Sequence, residues 1–132
     1  MKYGPDHILT LRARLSLASN DLPSIVAGLR KVGKQGVPYL AQALERLGMT
    51  QLGVGDVPAA LASLRECVML RESSGIQDWE LGEARERLGE ALAASGDKAA
   101  ASESLKQAET LLTAQLGPDH PETVRARAAL SR

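Results

Sequence analysis

Few side chains in this sequence have the type and spacing that covalent chemistry requires. Cys67 is the single cysteine, and the residue in step with it 41 positions on is Ala108, which marks a small packed position rather than a reactive one. His7 and His120 both stand in Gly-Pro-Asp-His turns, and neither has a second His or Cys at metal-ligand spacing. Both are expected to be structural turn residues, with no metal bound. Gly53-x-Gly55 lacks the preceding strand and the further glycine that a phosphate-cradling loop needs. No Ser-His-Asp set or paired-carboxylate motif stands out. The chain is therefore expected to be no enzyme and to use no cofactor.

Side chains suited to binding are easier to find. Glu83, Glu86 and Glu90 are spaced i, i+3, i+7 and share one side of a helix, where they could meet a basic or amphipathic peptide. The plainer reading is a solvated face on which Glu83 pairs with Arg87. Arg12, Arg14, Arg125 and Arg127 recur at matching positions and read as a solvated helix face before they read as an anion contact. Trp79, the only tryptophan, is expected to pack between neighbouring repeats; exposure as a binding anchor is the alternative.

What must position these side chains is a repeated text. Glu45-Arg46-Leu47-Gly48 returns as Glu86-Arg87-Leu88-Gly89, and Gly55-Asp56 returns as Gly96-Asp97, each 41 residues further on. Within each copy an apolar-periodic segment, a Gly-Asp pair and a second apolar-periodic segment follow one another, the pattern of a helix pair in tandem. A first helix should run from Ile8 to near Ala18 or Ser19. Asp21-Leu22-Pro23 opens a second, with Asp21 accepting the free first-turn amides, and Gly33 to Val37 ends it. A third helix runs from Pro38 to about Leu52, a fourth from Asp56-Val57-Pro58 to about Glu72. Asp78 caps a fifth, Asp97 opens a sixth that reaches Gln115 or Leu116, and Val124, Ala128 and Leu130 mark a short terminal helix.

A second echo joins the two ends. Gly4-Pro5-Asp6-His7 matches Gly117-Pro118-Asp119-His120, and Thr10, Arg12, Ala13, Arg14 and Leu17 match Thr123, Arg125, Ala126, Arg127 and Leu130, all 113 residues apart. The chain is read as a single all-α domain of 132 residues. Its repeat units lie at about 5–36, 37–77 and 78–117, followed by a terminal helix at 121–131.

Composition narrows the partners. Sixteen basic and sixteen acidic residues give a formal net charge of zero, without the basic excess of a nucleic-acid binder. No apolar run approaches the ~20 residues that cross a bilayer. One cysteine permits no internal disulfide, which suits a reducing, cytoplasmic setting. With no Phe and only 2% aromatics, the core must be packed from Leu, Ala and Val on closely approaching helices.

These residues carry a family resemblance. Leu44-x-x-Leu47-Gly48 with Ala60-x-x-x-Leu64-x-x-Cys67, and Arg85-x-x-Leu88-Gly89 with Ala101-x-x-x-Leu105-x-x-Ala108, resemble the tetratricopeptide pattern. The period of 41 to 42 and the Gly-Pro-Asp-His-Pro-Glu-Thr turn are similar to the kinesin-light-chain-type subclass, common in multidomain bacterial signalling proteins. The resemblance implies a right-handed α-solenoid of about three antiparallel helix pairs plus a C-terminal helix. It puts Gly48 and Gly89 at helix crossings, with Ala60 and Ala101 as the small residues opposite. It also implies a concave groove on the leading helices, lined by Gln42, Glu45, Arg46, Met49 and Leu52 and by Glu83, Glu86, Arg87 and Glu90. The function it implies is non-catalytic binding of a peptide or protein segment; a regulatory or sensor segment of a larger bacterial signalling protein, a kinase or transcription regulator, is the alternative. Ile8, Leu9 and Leu15 are expected to leave an apolar N-terminal edge through which the chain dimerises.

Overall fold

The computed structural model describes residues 7–16 and 21–132. The Gly4-Pro5-Asp6 turn, the Asn20 break and the expected end of the first helix lie outside the described residues. What is described is helical, with no strand among those residues: α1 (Ile8–Ser16), α2 (Leu22–Val32), a short 3-10 turn (Lys34–Gly36), α3 (Val37–Gly53), α4 (Val57–Ser73), α5 (Trp79–Ala94), α6 (Lys98–Leu116) and α7 (Pro121–Leu130). Consecutive helices pack against one another along the whole order, and α3 also touches α5, as α5 touches α7.

Short-range chemistry starts each helix. Asp56, Asp78 and Asp97 accept the backbone N–H of Ala59, Leu81 and Ala100 at 3.3, 3.1 and 3.1 Å, satisfying first-turn donors that no helical carbonyl reaches. The two histidines do the same: Nδ1 of His7 accepts from Leu9 N at 3.1 Å, and Nδ1 of His120 accepts from Glu122 N at 3.2 Å. Asp21 departs from expectation. It makes no cap hydrogen bond, because its carboxylate is turned to the guanidinium of Arg14. Between α3 and α4, and again between α5 and α6, the chain reverses through Gly55 and Gly96 at φ 85° and 90°, a region that side chains with a Cβ seldom occupy.

The core runs through the helices as buried leucine, isoleucine and alanine, among them Leu11, Ile25, Leu29, Leu44, Leu64, Leu81 and Leu112. Two crossings hold it together, and they repeat. A Cβ on Gly48 would lie 2.5 Å from Cγ of Leu64, and one on Gly89 2.6 Å from Cγ of Leu105. In each copy a leucine of the following helix therefore occupies the space that a side chain would take. These leucines lie directly against the glycines, and the backbone oxygen of Ala101 also comes within 3.5 Å of a Cβ on Gly89. The alanines are buried about one turn earlier, where they let the helices stay close.

Candidate functional site

The nine expected groove residues, the half-buried Leu52 among them, fall on α3 and α5, and only Gln42 is exposed. Glu45, Arg46, Met49, Glu83 and Glu90 are half-buried, and Glu86 and Arg87 are buried. On α5 the cause is α7, which lies against it and supplies counter-charges. Arg87 bonds Glu86 beside it, reaches Glu122 of α7 at 3.3 Å, and has Glu83 at 3.9 Å, the pairing expected along one helix face. Arg125 of α7 reaches Glu86 at 3.3 Å and Glu90 at 2.9 Å. The acidic row on α5 is thus part of the contact between helices rather than an open acidic sector. Arg46 likewise donates to the backbone carbonyl of Leu15.

Between α3 and α5 the arrangement changes sign. Burial pushes the Glu45 carboxyl up to about 9, helped by a hydrogen bond and charge from Glu83 and opposed by Arg87 and Arg71. Glu86 is pushed up to about 7 by burial and then by Glu90, against the pull of Arg87. Burial is the largest influence on the Arg87 guanidinium and pulls it down; Glu86, Glu122 and Glu83 more than offset that, leaving it raised. The Arg125 contact adds a second cation beside Glu86. Further salt links, Arg71–Glu80 at 3.1 Å and Arg85–Glu72 at 3.0 Å, tie α4 to α5. Arg85, where the preceding copy of the repeat has Leu44, is thus accommodated by a carboxylate from the preceding helix.

An open pocket of about 580 Å³ lies where the ends of α3, α5 and α7 meet the start of α6. Ala93, Ala101, Leu105 and Leu130 supply apolar wall, and Glu90 and Lys98 bring charge of both signs. That size lies within the usual range for bound small molecules or anchoring side chains. Sequence reasoning missed this pocket, apart from Leu52 and Glu90, because it joins four elements distant along the chain.

The remaining candidates separate cleanly. Cys67 is fully buried, with its thiol pushed up to about 12 chiefly by burial, then by the charge of Glu45. Trp79, at the first position of α5, is 44% exposed. Leu15 is buried in the core rather than on an apolar edge, and Ile8 is half-buried, which leaves Leu9 as the exposed one of that trio. Among the described residues there is no cluster of three metal-ligating side chains, and no helix is long and apolar enough to cross a membrane. No protein-family model matches the chain, and no curated protein matches it in sequence.

Proposed function

We propose that the chain is a tetratricopeptide-type interaction module. It is a right-handed α-solenoid of three antiparallel pairs, α1–α2, α3–α4 and α5–α6, with α7 as its terminal helix, and it binds a peptide or protein segment without reacting with it. The observation that carries the reading is the recurrence of one glycine-on-leucine crossing at a fixed offset, Gly48 on Leu64 and Gly89 on Leu105. Such repetition builds stacked helix pairs whose leading helices share one side. The pocket beside Ala93, Ala101 and Leu105 offers a partner segment an apolar seat, with Glu90 and Lys98 at hand for its charges.

The zero net charge supports a protein partner over a nucleic acid. The lone, buried thiol of Cys67 supports a reducing, cytoplasmic setting.

Screening the intact chain against a displayed library of amphipathic helical peptides tests the reading. Binders are expected, and Ala94→Trp, at an exposed residue lining the pocket, should weaken them by about tenfold or more. Failure to select any peptide, or peptides indifferent to Ala94→Trp, would remove the proposed seat.

A further inference from the structure

Helices α1 and α7 share the run Thr-x-Arg-Ala-Arg, yet they bury opposite faces. Thr123 and Ala126 of α7 are fully buried, with Ala126 packed against Ala108 and Leu112 of α6. Arg125 reaches Glu86 and Glu90, and Arg127 lies 3.5 Å from Glu109. The matching residues of α1 are Thr10, Ala13, Arg12 and Arg14. In α1 it is Leu11 and Leu15 that are buried, while Ala13 and Arg12 are exposed, the latter over the ring of Tyr39 at 4.8 Å. The counterparts of those two leucines in α7, Val124 and Ala128, are exposed. So α1 turns outward Arg12 and Ala13, the counterparts of the Arg125 and Ala126 with which α7 docks, while Thr10 is half-buried and Arg14, also half-buried, is held by Asp21.

We propose that α1 of one copy docks on the α5–α6 surface of a second copy in place of that copy's α7, joining chains head to tail. Arg12 then leaves the Tyr39 ring to meet Glu86 and Glu90, Ala13 fills the place of Ala126 beside Ala108 and Leu112, and Arg14 exchanges Asp21 for Glu109. The interface is heterologous, so it extends into open chains rather than closing a dimer. The resident α7 holds its seat thinly. Its wholly buried contribution is one threonine and one alanine, and the Thr123 hydroxyl is buried without a hydrogen-bond partner. What favours the resident helix is tethering and one extra ion pair: Glu122 reaches Arg87, whereas α1 has Leu9 at that position.

Tethering gives α7 an effective concentration on the order of 1 mM, so the unaltered chain is expected to be monomeric at about 10 μM. Ala126→Asp, which expels α7 from its seat, should make the mean mass in sedimentation velocity climb with concentration. Adding Ala13→Asp to it should restore the monomer, since the incoming helix is then disabled too. If Ala126→Asp unfolds the chain by circular dichroism, Arg125→Glu, with and without Arg12→Glu, makes the same comparison through charge. A release variant that stays monomeric up to several hundred micromolar, or association that persists in the paired variant, would overturn the exchange and leave the outer face of α1 to a different chain.

Discussion

Glu45 on α3 and Glu83 on α5 meet as hydrogen-bonded carboxyls between neighbouring helices. One repeat later the same two positions hold Glu86 and Arg125, which meet as an opposite pair at 3.3 Å. One slot of the repeat is thus filled in two ways, by a pair of carboxyls and by an ion pair. Two carboxylates in a partly dehydrated seam repel each other when both are ionised, so the first solution depends on pH over a wider range than the second.

That dependence has a definite sign. In the folded chain Glu45 is raised from 4.5 to about 9, so it keeps a proton that the unfolded chain releases. The stabilisation from this proton is present in full below the unfolded value and is lost as pH climbs from about 4.5 towards 9. Glu86, raised to about 7, acts in the same direction over a narrower window. Urea unfolding at pH 5, 7 and 9 is expected to show stability falling by about 1.4 kcal/mol per pH unit for each group within its window, on the order of 5 kcal/mol in all. Glu45→Gln, similar in shape and permanently neutral, should flatten most of the fall. A profile unaltered by Glu45→Gln would mean that Glu45 is ionised in the folded chain.

The glycine crossings make a packing prediction in which two effects oppose each other. Gly48→Ala gains about 1 kcal/mol of helix propensity, but the new Cβ would lie 2.5 Å from the branch carbon of Leu64. A branch point cannot swing aside as a chain end can, so the overlap wins, and a net loss of about 1–2 kcal/mol is expected. Gly89→Ala should lose a similar amount against Leu105. In thermal melts Leu64→Ala combined with Gly48→Ala should cost less than the two changes taken separately. Simple additivity would show that the helices part without resistance.

Local structure was legible in the residues and contacts between helices were only partly so, for a physical reason. Helix ends fell within a residue or two of expectation where Asp56, Asp78 and Asp97 cap, because a cap is decided by atoms three residues away. Asp21 failed as a cap because Arg14, seven residues earlier, competes for its carboxylate. Gly48 and Gly89 were legible as crossings from the repeat, but the residue across from each was not. Naming Leu64 and Leu105 requires the angle at which two helices meet, and a one-dimensional pattern does not contain it. The burial of Glu86 and Arg87 was hidden for the same reason: their charged character reads as surface until Arg125 and Glu122 arrive from 35 to 39 positions away. A usable signal existed, since Arg125 stands where Glu83 stands in the previous repeat, a reversal of charge at one position.

Arg87 is where removing one side chain should do most harm. It is 9% exposed and holds Glu86, itself fully buried, along with Glu122. Arg87→Ala leaves a buried carboxylate with only Arg125 as cation, and a loss of about 3 kcal/mol is expected. Pairing it with Glu86→Gln removes the stranded charge and should recover part of that loss, measured as the difference in unfolding free energy across the four chains. If the double variant is as unstable as the sum of the singles, the two side chains are not coupled.

Cys67 supplies a readout of how often the core opens. Its thiol is fully buried and pushed up to about 12, so at pH 8 only about one folded molecule in ten thousand carries the thiolate that reacts with disulfide reagents. Unfolding exposes the sulfur and returns it to its ordinary range, which raises both access and thiolate fraction. Labelling of the intact chain should therefore be slower than that of the urea-unfolded chain by about a thousandfold or more, limited by opening rather than by chemistry. Cys67→Ala makes this position match Ala108 and should lower stability by only about 1 kcal/mol, because the repeat already packs around a methyl there. Rapid labelling of the folded chain would contradict the buried position and show α4 leaving the core far more often than its neighbours permit.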